Sequence, residues 1–204
     1  ILHIACSMLH VACCSVSWYI CKAAHIACCM YHSICTDINK YCFEHNKKLT
    51  IAGFYKKNIF NENKFYEDII SDEKNKCKFS FLPRSNEEQT YKLIDTSNLI
   101  INIDSAIGYE ALARENKLLF FQLRSHFLDD PLLKFGWPKI YPDEGEFWFN
   151  NFNIPIMNKK IDFMLNLSKN DWKKIKNQYI PDLMYYDKNK CNLKTFLNNH
   201  HNVQ

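Results

Sequence analysis

The chain has 204 residues, of which 47% are apolar, 24% charged and 15% aromatic, a composition that excludes disordered and collagen-like proteins. Its 26 basic and 22 acidic residues give a net charge of +4. They are spread along the sequence, which argues against nucleic-acid binding.

The first 36 residues differ in composition from the rest. They contain seven of the ten Cys and four of the eight His, and they lack Asp, Glu, Asn, Gly and Pro. A His-x-x-Cys pattern recurs at His3–Cys6, His10–Cys13, His25–Cys28 and His32–Cys35. We interpret residues 1–36 as a tandem DNA repeat, translated and joined to a truncated gene, and expect them to be non-native. Residues 37–204 are expected to form the functional domain.

The repeat has three alternative interpretations. His and Cys three residues apart on a helix share a face and could bind zinc, which would make the chain a non-catalytic metal-binding or interaction module. Structural zinc motifs separate two ligand pairs by a longer loop with turn-forming residues, which this segment lacks. A transmembrane span is disfavoured because His and Lys interrupt the apolar runs, and a secretory signal because no basic region opens it.

Residues 46–123 alternate between two kinds of pattern. Short apolar runs that end near Gly, Pro or Asp predict strands, and longer segments with apolar residues on one face predict helices. In chain order we predict strands over residues 46–54, 77–82, 98–103 and 117–123, and helices over 62–71, 87–95 and 106–115. Strands separated by helices indicate βαβ units. The expected fold is therefore α/β, a single Rossmann-like domain with a parallel sheet flanked by helices.

The remainder is predicted to be an ordered loop followed by helices. Residues 129–153 are rich in Pro, Gly and aromatic side chains, which we expect to pack against the rim of the sheet. Trp137 and Trp148 are interpreted as packing residues rather than as a platform for a sugar. Helices are predicted over residues 158–167, 169–178 and 192–199.

The segment from Leu99 to Arg114 carries most of the functional information. It reads as a buried strand, a turn at Asp104–Ser105 and a helix with small residues at Ala106 and Gly108. In open parallel sheets ligands bind beyond the carboxyl ends of strands, where helix amides can hold a phosphate. The hydroxyl of Ser105 would add a donor, and Glu110, one turn further, could accept hydroxyls of a ribose.

A structural interpretation of the same residues stays open. Asp104 or Ser105 could simply cap the helix. Glu110 lies four residues before Arg114, which is the spacing of a helical ion pair in solvent. A dinucleotide-binding fingerprint is excluded, because only Gly108 is present where three Gly are required.

At these residues the chain resembles bacterial surface-carbohydrate biosynthesis proteins. The resemblance rests on the segments 95–117, Lys134-Phe-Gly-Trp-Pro138, Gly145-Glu-Phe-Trp148 and Leu183-Met-Tyr-Tyr-Asp187, and it covers nearly all of residues 46–198. These proteins are glycosyltransferase-like and similar to the C-terminal, donor-binding half of the GT-B fold.

The resemblance implies roles for particular residues. Ser105 and the amides that follow would bind the donor diphosphate, Glu110 would hold the ribose, and Arg84 would lie near the phosphate or base. Asp104, Ala106 and Gly108 complete the implied donor site, whereas the catalytic residues are not identified. Asn102 stands where many retaining enzymes of this fold carry a second Glu.

The resemblance also implies partners. The donor would be a nucleotide-activated sugar, and the acceptor a glycan held by a second, N-terminal domain that we expect this chain to lack. No metal or other cofactor is required, and no nucleic acid or transmembrane span is expected. The expected location is the cytoplasm, with peripheral association with the inner membrane. Whether the chain is itself an enzyme stays open, and a nucleotide-sugar epimerase-like domain is the related alternative.

Overall fold

The computed structural model describes residues 2–6, 32–53, 61–71, 79–83 and 87–183. Within these ranges the chain forms a six-stranded sheet in the order β3-β2-β1-β4-β5-β6, with every neighbouring pair of strands parallel. This is the doubly wound Rossmann-like order. The predicted fold class is confirmed.

The strands are short, and each is separated from the next in the chain by at least one described helix. They are β1 (Leu2–Cys6), β2 (Leu49–Ala52), β3 (Phe79–Leu82), β4 (Leu99–Ile103), β5 (Leu118–Phe121) and β6 (Trp148–Phe149). The helices are α1 (residues 32–44), α2 (Glu62–Ser71), α3 (Glu87–Thr96), α4 (Ile107–Ala113), α5 (Arg124–Leu128), α6 (Ile154–Asn166) and α7 (Lys169–Leu183), with a 3₁₀ helix at Pro131–Leu133.

Three of the strands are buried along their whole length. Every residue of β2, β4 and β5 is buried. A strand that is covered by helices on both faces needs apolar side chains on both, which explains the continuous runs Leu-Ile-Ile-Asn-Ile and Leu-Leu-Phe-Phe. Asn102 is the one polar residue in these two runs, and it has a specific role at the site described below.

Residues from the repeat segment lie in the middle of the sheet. β1 pairs with β2 on one side and with β4 on the other, for example Ile4 with Ile51 and with Ile101. The boundary predicted after residue 36 falls inside α1, whose Ile34 and Ile38 are both buried in the core. The structural domain therefore includes residues from both predicted segments, and the non-native origin of residues 1–36 stays a prediction.

Two layers of helices cover the sheet. α1 and α6 are joined by a hydrogen bond that the Tyr41 hydroxyl donates to Asp162 Oδ1 at 2.5 Å. On α4 packs α7, whose Trp172 Nε1 donates to the carbonyl oxygen of Glu115 at 3.1 Å. α3 is tied to the end of α4 by Asp95, which pairs with Arg114. Because α3 and α4 each follow a parallel strand, their first turns lie near the carboxyl ends of the strands.

The last two helices begin at side-chain caps. Asn153 Oδ1 accepts a hydrogen bond from the amide of Ile156 at 3.1 Å, and Pro155 follows in the first turn, so α6 begins four residues before the predicted start. Ser168 Oγ accepts from the amide of Asp171 and donates to its carboxylate, a reciprocal cap that starts α7. The helix predicted over 192–199 and the segment 184–187 lie outside the described residues.

Candidate functional site

The turn after β4 lies where the strand order reverses. β1 and β4 are neighbours in the sheet but are not consecutive in the chain, and the connections from their carboxyl ends lead away in opposite directions. Such a switch point leaves a crevice at the carboxyl edge, which is the usual ligand position in this kind of fold. Residues 7–31, which follow β1, lie outside the described residues, so the described part of the crevice is the turn at residues 104–107.

Asp104 fixes this turn to the next helix. Its carboxylate is 2% exposed and accepts hydrogen bonds at 3.2 Å from the backbone amide of Arg124, the first residue of α5. Arg124 Nη2 donates in return to the carbonyl oxygen of Asp104 at 3.1 Å. The backbone of Asp104 is left-handed, with φ of 51°, a conformation that Asp tolerates better than most residues. Asp104 therefore caps α5 from the end of the neighbouring strand.

The backbone amides of residues 105–107 have no acceptor in the part of the chain that the structure describes. α4 begins at Ala106 without a side-chain cap, and the next two amides, of Gly108 and Tyr109, bond to the carbonyl oxygens of Ser105 and Ala106. Within the described ranges the predicted amides are unpaired, and the alternative that Asp104 or Ser105 caps α4 is wrong. Ala106 is exposed and Ser105 half-buried, so the turn is open to solvent.

Gly108 lets α4 lie directly on the sheet. A Cβ at this position would stand 2.5 Å from Asn102 Cγ and 2.5 Å from Phe120 Cε1. Asn102 is fully buried, and its Nδ2 donates to the carbonyl oxygen of Ser105 at 3.0 Å. Gly108 thus allows α4 to lie close to the sheet, and Asn102 holds the backbone of the turn through Ser105. Contact of Gly108 with a ligand stays a prediction.

Glu110 faces α3. Its Oε2 accepts a short hydrogen bond from the hydroxyl of Tyr91, and its Oε1 has no hydrogen-bond partner among the described residues. Arg114 pairs with Asp95 instead of with Glu110, because Arg114 Nε lies 3.0 Å from Asp95 Oδ1. The hydrogen bond from Arg114 holds the pKa of Asp95 below its usual value. The predicted alternative of a Glu110–Arg114 ion pair is wrong.

The outcomes for the predicted donor residues differ. The structure brings Asp104, Ser105, Ala106, Gly108 and Glu110 together around one turn. Arg84 and its neighbours Ser85 and Asn86 lie outside the described residues. For every predicted donor residue, the role in binding stays a prediction.

Arg124 is a site residue that the sequence analysis did not single out. Its side chain is 31% exposed, and its Nε lies 3.8 Å from Asp104 Oδ1, too far for a hydrogen bond. The bond from its Nη2 to the carbonyl oxygen of Asp104 places the guanidinium next to the turn. No motif marks this position, because its proximity depends on β4 and β5 being neighbours.

Tyr109 connects the turn to the ordered loop of residues 129–153, called the aromatic loop from here on. The sequence analysis did not predict this contact. Its hydroxyl accepts a hydrogen bond from the amide of Gly136 at 3.0 Å, and its ring stacks on Phe135 with centroids 6.0 Å apart. Burial raises the pKa of Tyr109, so the hydroxyl is protonated at neutral pH. The segments that carry the resemblance, around residues 109 and 136, therefore meet in space.

The aromatic loop is packed on its inner side and exposed on its outer side. Its inner side chains form an aromatic cluster with α7, made of Phe135, Tyr141, Phe147, Trp148 and Tyr179. Trp148 is 2% exposed, which confirms the prediction that it packs. Trp137 is 56% exposed, so the same prediction is wrong for Trp137.

The described residues offer no other obvious chemical centre. They contain no group of three or more His, Cys, Asp or Glu positioned to hold a metal ion, and most of the Cys/His repeat lies outside them. Cys35 and Cys42 are buried on α1. Within the described ranges, no helix is both long and apolar enough to cross a membrane.

The family comparison covers most of the chain. A family described as "putative O-antigen biosynthesis protein" matches residues 32–201. The chain belongs to this family. The match begins in α1 and includes the turn at residues 104–107, the aromatic loop and α7. Searches of curated proteins and of solved structures found no match.

Proposed function

We propose that this O-antigen biosynthesis family member binds a nucleotide-activated sugar as the donor-binding half of a glycosyltransferase. The observation that carries the proposal is the composition of the turn after β4. It combines the Ser105 hydroxyl, three open amides and the carboxylate of Glu110 at the switch point of a Rossmann-like sheet. Phosphate needs donors and a ribose needs acceptors, and this turn supplies both within two helical turns.

The proposed chemistry is electrostatic. When the bond between sugar and diphosphate breaks, negative charge develops on the leaving phosphate. The amides of residues 105–107 and the guanidinium of Arg124 would stabilise that charge, because both lie at the turn that follows the carboxyl end of β4. The acceptor glycan and the catalytic base would come from a second domain. On this proposal the chain acts in the cytoplasm, at the inner face of the membrane.

Isothermal titration calorimetry with UDP, GDP, CDP, CMP and their sugar conjugates tests the proposal. We expect saturable binding of one nucleotide by the full chain. Glu110→Gln should weaken it about 10-fold or more, since a hydrogen bond to a charged group contributes about 1.5–3 kcal/mol. Ser105→Ala should weaken it about 2- to 10-fold, as expected for a neutral hydrogen bond.

Matched substitutions control for nonspecific effects. Glu88→Gln removes an exposed carboxylate from α3, and Ser80→Ala removes an exposed hydroxyl from β3. Neither should change the affinity. If the folded wild-type chain binds no member of the panel, the donor-site proposal is wrong.

A further inference from the structure

Tyr91 lies beside the proposed donor site, although it belongs to a different helix from Glu110. It is the fifth residue of α3, and Glu110 is the fourth residue of α4. Helices that follow parallel strands begin at the carboxyl edge of the sheet, so both residues lie within about one turn of that edge. Both side chains are half-buried, and the Tyr91 hydroxyl donates to Glu110 Oε2.

The ring of Tyr91 is itself held in place. The guanidinium carbon of Arg114 lies 5.1 Å from the centre of that ring, within the range of a cation–π interaction. Arg114 is fixed in turn by Asp95, whose Oδ1 also accepts from Asn116 Nδ2 at 3.2 Å. The side chain of Tyr91 is therefore held by Arg114 at the end of α4, which is itself fixed by Asp95 of α3, and its hydroxyl contacts Glu110.

This contact engages Oε2 of Glu110, while Oε1 has no partner among the residues that the structure describes. Resting on the proposed function, we propose that Tyr91 is a positioning residue that fixes the Glu110 carboxylate so that Oε1 accepts a hydrogen bond from a ribose hydroxyl. The arrangement selects ribonucleotide donors against analogues that lack the ribose hydroxyls. A carboxylate that rotates freely would face the ribose hydroxyl in only some of its orientations. When the ribose hydroxyl is missing, water could hydrogen-bond to such a carboxylate equally well.

Tyr91→Phe tests the proposal because it keeps the ring under Arg114 and removes only the hydroxyl. Calorimetry would compare UDP, GDP or CDP, whichever binds best, with its 2′,3′-dideoxy analogue. We expect the wild type to prefer the ribonucleotide by about 10-fold or more, and Tyr91→Phe to reduce that preference to about 3-fold or less. The affinity for the dideoxy analogue should stay within about 2-fold, since no hydroxyl is lost from that contact.

Tyr179→Phe is the matched control. It removes a hydroxyl that donates to another carboxylate, Glu146 Oε2 at 2.7 Å, and it should leave the ribose preference unchanged. If Tyr91→Phe does not fold, Tyr91→Met, an unbranched side chain that fills space without a hydroxyl, should lose the same preference.

The outcomes separate the two proposals. An unchanged ribose preference in Tyr91→Phe overturns the positioning role but leaves the donor site intact. Equal weakening of both nucleotides assigns Tyr91 a purely structural role and also overturns it. A folded wild type that binds no nucleotide removes the donor site and the role of Tyr91 together.

Discussion

Adding one methyl group at Gly108 should destabilise the protein, although alanine normally favours a helix. The new Cβ would lie 2.5 Å from buried atoms of Asn102 and Phe120, whereas non-bonded carbon atoms prefer about 3.5–4.0 Å. Neither neighbour can turn away, because both are fully buried. α4 would have to move away from the sheet by about 1 Å.

The magnitude follows from three contributions. Overpacking a close-packed core costs about 1–3 kcal/mol. Moving the helix also strains the bond from Asn102 Nδ2 to the Ser105 carbonyl oxygen, which contributes about 1 kcal/mol. The helix propensity of Ala offsets about 1 kcal/mol of this cost. We therefore expect Gly108→Ala to lower the free energy of unfolding by about 1–3 kcal/mol.

Urea unfolding monitored by tryptophan fluorescence would measure the change. The midpoint should fall with an unchanged m-value, because the surface exposed on unfolding is nearly the same. Ala113→Gly, at a half-buried position on the same helix, is the control and should cost about 1 kcal/mol through propensity alone. A Gly108→Ala chain as stable as the wild type would refute the close packing of α4 on Asn102.

Substitutions at three further positions test individual contacts. Asp104→Ala should lower stability by about 1–3 kcal/mol because it leaves the first amide of α5 without an acceptor, and Asp104→Asn should cost less in thermal melts. Lys176 lowers the pKa of Glu115, so this pair adds stability above the unfolded pKa of about 4.3 and loses it as the pH falls through the folded value. Glu115→Gln should therefore flatten the dependence of unfolding free energy on pH below about 4.5, which urea titrations at several pH values would show; an unchanged slope would contradict the pairing. Tyr109→Phe should cost about 1–2 kcal/mol in urea unfolding, because it removes the acceptor of the Gly136 amide, and a neutral effect would argue against that link.

The sequence correctly predicted the strands whose apolar pattern depends only on burial. α2 has the predicted bounds, and β4 starts one residue later than predicted. Strands buried on both faces require uninterrupted apolar runs, and such runs can be read without any knowledge of their neighbours.

The short elements were missed for a related reason. β6 has two residues and α5 has five, so neither is long enough to show a hydrophobic period. β6 forms because Trp148 and Phe149 pair with Phe120 and Phe121, and α5 begins where Asp104 accepts its first amide. Both depend on contacts between residues that are 20 or more positions apart in the sequence.

The sequence by itself determined the α/β class, the strand-turn-helix at residues 99–114 and the open amides of the turn, because these follow from local apolar runs and helix geometry. Only the tertiary structure decided the partners of its charged groups. Arg114 lies four residues after Glu110, close enough for a helical ion pair. Arg114 pairs with Asp95 instead, and Glu110 accepts a hydrogen bond from Tyr91 of α3. Which groups meet across two helices depends on how those helices pack on the sheet, and no local pattern encodes that distance.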